Sequence, residues 1–322
     1  LPGAARAQHA FTSFQGEKYV AIGTSQGLFL YYEGAFFDIS PLATAITGAT
    51  FDTFSSQNNV TVNKVGHNLE KGRYVTFTSV TPPTGYSATD FTEGAFEILT
   101  VPNADTFTIQ MRVNASGAAS ASGSASINPY EEVGPTFQTA GYGWGTYQWN
   151  TGTWGTARTT SNVILDPGLW SLDNFGEVLV ATVFNGKTFT WDAGAAVPRA
   201  NRASQTTTNF NTTNNPTASR LTLVSDRDRH LFHFGTETTI GNTATQDPMF
   251  VRFSNQEDLN TYAPSSTNTA GTFRLDTGNK IVAAIQGKDY VFVLTDQAAY
   301  VVQFVGPPFT FSVRQVGTNC GC

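Results

Sequence analysis

The residue types that could do acid–base or metal chemistry are few in this chain and widely spread. Its four histidines are His9, His67, His230 and His233. The last two stand three apart in R-H-L-F-H-F, and residues three apart on a regular strand face opposite sides, so they are poorly placed to share a metal. Two carboxylate pairs invite the same test, since glycosidases on β scaffolds need two acids at a defined separation. Asp173 and Glu177 lie in W-S-L-D-N-F-G-E, and their types and positions read as a turn cap and a strand start. Asp226 and Asp228 alternate with Arg227 and Arg229 in S-D-R-D-R. A strand there would put the acids on one face and the arginines on the other, which points to charge pairing with neighbouring strands. The only two thiols, Cys320 and Cys322, form a C-x-C with no companion ligands, and that spacing strains a mutual disulfide. G-Y-G-W-G from Gly141 lacks the Lys-Ser/Thr of a phosphate-binding loop. The expectation is a chain with no catalytic residue, no metal and no cofactor.

Three tryptophans, Trp144, Trp149 and Trp154, recur every five residues among Gly, Thr and Tyr. Exposed, they would make a sugar-stacking platform or an interface anchor, because flat aromatic faces bury area at low entropic cost. Buried, they would close a domain where the chain returns to it.

Composition narrows the partners. Only 13% of the 322 residues are charged, about half the usual fraction, so Thr, Ser, Asn, Gln and Gly must cover most of the surface. Such a surface suits packing against copies of itself. A net charge of −6 offers no footprint for binding duplex nucleic acid, which requires clustered Lys and Arg, although a mildly negative wall would let a translocating polyanion pass without sticking. No apolar run approaches the roughly 18 residues of a membrane span. The start, L-P-G-A-A-R-A-Q-H-A, has no basic region followed by an apolar core and reads as part of a soluble mature chain or fragment, not a signal peptide.

Period-two alternation and β-branched or aromatic runs recur throughout, with little helical periodicity. Strands are expected in 18–30 around a turn at 24–27, in 35–39, in 177–191 with Asn185-Gly186 as a type I′ turn, and at 230–234, 249–253, 280–285, 290–295 and 299–304. Three hairpins, at 16–37, 175–191 and 287–304, share one formula: a small polar turn, an apolar strand, a turn and an aromatic strand. The texture changes between Ile46 and Gly134, where strand-sized runs fall at 61–65, 66–80, 91–101 and 106–113. The Ser/Ala/Gly tract 114–126 reads as a flexible linker or a small-residue edge strand. The fold class is therefore all-β, an irregular β-propeller-like platform (residues 1–45 and 135–322) interrupted by an inserted small β-sandwich or barrel domain (46–134).

The wording of several segments resembles the tail nozzle, or tail tubular, structural proteins of tailed bacteriophages. The likeness rests on the hairpin 16–41 ending in Asp38-Ile39-Ser40-Pro41, the Gly/Trp-rich return 141–158, the phrase 170–177, and the stretch 247–322. It implies a virion protein of the tail, not an enzyme, standing as a ring of copies, expected to be a hexamer, around the DNA channel. Its implied partners are the tail adaptor above, tail fibres held at the side, and phage DNA in transit during ejection. A glycan-binding or depolymerising tail adhesin, working through the inserted domain or Trp144, Trp149 and Trp154, is the alternative. A cellular adhesin is a third reading.

Overall fold

Alternating side chains become antiparallel sheet from the first residues of the computed structural model, which describes residues 1–134, 168–205, 215–306 and 309–320. The strands β1 (Ala5–Thr12), β2 (Lys18–Thr24), β3 (Leu28–Tyr32) and β4 (Ala35–Asp38) form a four-stranded meander in chain order. Its β2–β3 turn is locked by the Thr24 hydroxyl, which accepts from the amides of Gln26 and Gly27 at 3.2 and 3.1 Å. The strand β1 carries no clean alternation, so no periodic pattern marks it in the sequence.

The chain then builds a separate unit, Ser40–Glu132. It holds β5 (Ile46–Thr53), β6 (Asn59–Asn63), β7 (Tyr74–Thr81), the short helix α1 (Ala88–Thr92), β8 (Phe96–Glu97), β9 (Thr100–Asn103), β10 (Thr106–Gln110) and β11 (Ala119–Pro129). Seven strands share one sheet in the order β8-β7-β11-β5-β6-β10-β9. Its two ends, β8 and β9, are joined by Ile98 and Leu99 alone, so the sheet must curl until its ends meet. At that junction Ile98 N–H donates to the Arg73 carbonyl beside β7 at 2.8 Å, and Leu99 N–H donates to the Thr108 carbonyl of β10 at 2.9 Å. The inserted unit is thus a curled barrel. It starts at Ser40, before the expected Ile46, because the amide of Ala43 donates to Pro129 O and that of Glu131 to Pro41 O.

Two local readings are corrected here. The run 91–101 is not one strand: the amide of Ser87 donates to the Asp90 carboxylate at 2.7 Å, a capping contact that starts α1 and drops Phe91 into the barrel against Phe51, Phe77 and Phe96. The small-residue tract is neither linker nor edge, since β11 lies inside the sheet between β7 and β5. Its pairing with β5 slips at three places, and Ala121 and Gly123 take positive φ. A Cβ on Gly123 would come within 2.5 Å of the Thr81 carbonyl oxygen. Small residues let this strand bend sharply enough to close the barrel.

The second unit, Leu1–Ile39 with Val133–Cys322, adds three more sheets to the first. One contains β12 (Trp170–Phe175), β13 (Val178–Val183) and β14 (Thr188–Asp192); the next contains β15 (Leu221–Val224), β16 (Leu231–Phe234), β17 (Phe250–Phe253) and β18 (Gly271–Arg274). The last contains β19 (Ile281–Gln286), β20 (Val291–Thr295), β21 (Ala298–Gly306) and β22 (Thr310–Thr318). Each is an antiparallel meander in chain order. The meanders stack in sequence like blades. Tyr19, Leu28 and Leu30 of the first sheet meet Leu179, Ala181 and Trp191 of the second; Val178 and Val180 of the second meet Val224 and Leu231 of the third; Phe232, Phe234 and Phe253 of the third meet Val293, Tyr300 and Phe311 of the fourth. The middle sheets are therefore buried on both faces, and the faces they turn to each other mix Val178, Val180, Val224 and Leu231 with buried Thr182, Thr188 and Thr222. Asn185-Gly186 does turn the chain, but not as a type I′ turn: the loop is Phe184 to Gly186, closed by Val183 N–H to Lys187 O, and only Asn185 has positive φ.

Phe91 is the plug of the barrel. Phe91→Ala is expected to destabilise the inserted unit by about 3–5 kcal/mol, seen in the full chain as faster amide exchange in β5 and β7 with little change in β13 and β16.

Candidate functional site

The phrase 170–177 forms β12 and the turn after it, and its polar side chains act as straps between sheets. Trp170 Nε1 donates to the Thr24 carbonyl at 2.9 Å. Ser171 forms a reciprocal pair with Thr222 of β15: its hydroxyl donates to Thr222 O at 2.7 Å and accepts from Thr222 N–H at 3.2 Å. Asp173 accepts from Val224 N–H at 2.7 Å and from Asn174 N–H at 2.9 Å. His9 of β1 donates through Nε2 to Asn174 Oδ1 at 2.7 Å. Asp173 thus lies within a strand and is not a turn cap, while Glu177 opens β13 from the turn. Burial pushes the Asp173 carboxyl above the usual range, against the pull of those two amides and of His9.

His230 and His233 point to opposite sides. His230 packs on Phe253, Phe304 and Phe311 towards the last sheet, and His233 meets Tyr262 on the other face. His233 belongs to a buried relay whose direction follows from its ends. The Thr236 hydroxyl donates to Ala218 O at 2.8 Å, so it accepts from Ser219 Oγ at 3.2 Å. Ser219 must then accept from His233 Nδ1–H at 2.9 Å, leaving Nε2 to accept from the Tyr262 hydroxyl at 3.1 Å. Arg252 lies on the same side, donating to the carbonyls of Thr238 at 2.9 Å and Tyr262 at 3.4 Å. Every hydroxyl in the relay is used and closed off from solvent. Burial lowers the imidazole pKa of His233 to about 3, helped by Arg252, and that of His230 to about 4. A nucleophile with its base would need an open face, which this Ser–His pair lacks. His67 sits in the barrel, where its Nδ1 accepts from Leu69 N–H at 2.9 Å.

Asp226 and Asp228 are not strand residues. The S-D-R-D-R run is the turn between β15 and β16, and Arg229 takes a φ of 49°. Its arginines reach outward, Arg227 to Asp289 at 2.8 Å and Arg229 to Glu257 at 2.7 Å. The arginine-to-acid pairing is thus made with other segments, from a turn and not from alternate faces of a strand. Trp144, Trp149 and Trp154 lie outside the described residues, as does Cys322; Cys320 is exposed and free. Among the described residues no group of three or more His, Cys, Asp or Glu could hold a metal ion, and no helix is long and apolar enough to cross a membrane.

A cleft of about 300 Å³ forms where the β1–β2, β12–β13 and β15–β16 turns meet the segment after β17. Phe175, Val178 and Leu259 give it an apolar lining, and Glu177, Asp192, Glu257 and Asp258 give it carboxylates. Arg229 lies along it, its guanidinium 4.8 Å from the centre of the Phe175 ring. Phe14 stands beside it with 75% of its surface exposed, and its amide donates to Glu177 Oε2 at 3.1 Å. Phe175 and Glu177 come from the phrase 170–177 and Arg229 from S-D-R-D-R, but sequence does not bring them together: the parts of the cleft run from Phe14 to Asn260, more than 200 residues apart.

No family model matches the chain, and no curated protein matches it. Among solved structures it is similar to the phage phi92 endosialidase, with a TM-score of 0.29 and 13% identity over 98% of this chain. The chain spans half the length of that protein.

The two buried histidines set an acid limit. Each binds its proton more readily unfolded, near the ordinary value of 6.5, than folded, at about 4 and about 3. Their contribution is complete above pH 6.5 and is lost as pH falls towards those folded values. Asp173, with its pKa raised, works in the opposite direction, its share falling as pH rises through the folded value. Thermal unfolding followed from pH 7 down to 4.5 should therefore show a falling midpoint, and His233→Gln, which keeps polar atoms but does not titrate, should flatten that slope while lowering stability at pH 7. Asp173→Ala, which leaves the Val224 amide without its acceptor, should cost about 1–3 kcal/mol at neutral pH.

Proposed function

We propose that this chain is a structural, non-enzymatic component of a tailed-phage virion, a tail nozzle or tail tubular protein that stands as a ring around the DNA channel and carries fibres at its side. The observation that carries this reading is the use made of the phrase 170–177, the most recognisable part of the family likeness. Ser171, Asp173, Asn174 and Trp170 all hold neighbouring strands together, the role such a phrase would have in a load-carrying platform.

The stacking of meanders supports the ring. A stack of sheets ends in two different faces, and a head-to-tail contact between different faces generates a closed ring when its rotation closes. The first sheet presents Tyr31 and Phe36, and the last presents Ile285, Val305 and Val316, all with more than a third of their surface exposed. Neither set is charged, which fits burial between copies. The inserted barrel, a compact unit of its own entered from β4 and left before β12, is the element to which this reading assigns the fibres or the host. The negative net charge suits a wall that DNA slides past.

Immunogold labelling of virions with an antibody raised against residues 46–134 tests this. A collar of label at the lower tail is expected; label confined to fibres or spikes, or absent from every particle, would overturn the nozzle reading and favour the glycan-binding adhesin. In the purified protein, Ile285→Asp with Val305→Asp should shift sedimentation from ring to monomer without lowering the unfolding midpoint.

A further inference from the structure

The cleft beside Arg229 is lined by none of the residues assigned above to the contact between copies. It already displays how it holds a cation, because the chain supplies one. The Arg229 guanidinium lies over Phe175 at 4.8 Å and has Glu257 Oε2 at 2.7 Å from its Nε, so one aromatic ring and one carboxylate hold one planar cation. The same pair of groups is repeated across the cleft. Phe14 offers a largely exposed ring, and Glu177 is fixed beside it by the Phe14 amide. A Cβ placed on Gly176 would lie 3.2 Å from the tip of the Phe14 ring and 3.1 Å from an Arg229 terminal nitrogen. The two half-sites therefore close on one glycine, which adopts φ +66° and lets both groups approach its backbone more closely than a side chain there would allow.

Charge and lining agree on what would enter. The lining carries Glu177, Asp192, Glu257 and Asp258 against the single cation Arg229, so a further positive group is favoured and an anion is opposed. Val178 and Leu259 give an aliphatic stem a surface to lie on. We infer that this cleft binds a second cation, a guanidinium or primary ammonium on an aliphatic chain, stacked on Phe14 and paired with Glu177. Two sources share that chemistry: an Arg or Lys side chain of a neighbouring protein, and a free polyamine. The inference is independent of the ring, since it rests on the cleft alone.

Amide chemical shifts of the ¹⁵N-labelled full chain, titrated with N-acetyl-arginine-amide, test it. Shifts should centre on Phe14, Gly176 and Glu177, and the citrulline analogue, equal in shape but uncharged, should leave them in place. Phe14→Ala and Glu177→Gln should each weaken binding by at least about threefold, the scale of an exposed cation–π contact or ion pair. Phe14 is exposed, so its variant should keep the wild-type unfolding midpoint; Phe14→Leu, which keeps bulk without the ring, gives the same loss of affinity if stacking is the cause. Spermidine binding more tightly than the arginine probe marks a free polyamine as occupant, and the reverse order marks a protein side chain; both uphold the site. Equal shifts with citrulline, or affinity unchanged in both Phe14 variants and in Glu177→Gln, would overturn it.

Discussion

A meander of strands leaves the inner edge of its first strand without a backbone partner, and this constraint shapes the larger unit. Buried amides and carbonyls must be satisfied, yet the leading strands β1, β12, β15 and β19 belong to different sheets. Side chains supply what the ladders cannot. His9 bridges β1 to Asn174 of β12, Ser171 and Asp173 of β12 receive the amides of Thr222 and Val224, and Arg220 beside β15 donates to Ile281 O of β19 at 2.9 Å. The sequence of straps follows the sequence of sheets. Without them each meander would present a bare edge, the feature that makes sheets associate in the wrong register.

Apolar packing alone would not order the sheets so specifically. The first and third interfaces are built from aromatic and aliphatic side chains, which tolerate many arrangements. The middle one is different. There Thr182 bonds to Thr188 and Thr222 at 2.8 Å each, and the Tyr262–His233–Ser219–Thr236 relay lies in the third sheet beside it. Each donor in that relay has one acceptor, and a slip of one strand would strand several polar groups in the core, where each lost partner costs about 1–3 kcal/mol. Specificity of this kind carries a chemical liability, since the neutral imidazole on which the relay depends disfavours acid.

The inserted barrel solves its edges in another way, by closure. Its end strands β8 and β9 are consecutive in the chain, and β11 bends through slips in register at residues too small to resist. The contrast between the units is physical: one removes its edges by curling, the other covers them with side chains.

Much of this could be read from residue order. Alternation placed most strands, the change of texture near Ile46 marked an inserted unit, and the three-residue spacing of His230 and His233 put them on opposite faces. These are local properties, set by the two-residue period of a strand and by turn chemistry. Other features depend on what distant segments bring. The tract 114–126 has the composition of a linker, but its neighbours β5 and β7 make it a central strand. Asp226 and Asp228 alternate with arginines as a strand would, but the turn beneath them places Arg229 against Glu257 and Phe175. Phe14 looks like an ordinary apolar turn residue until Glu177 and Arg229 are found beside it. The sequence by itself determined the strand-rich class and the interruption, because these follow from composition and short-range pattern. Only the tertiary structure decided which sheets face one another, which histidine joins a relay, and where a cleft opens, because those depend on contacts between residues far apart in the chain.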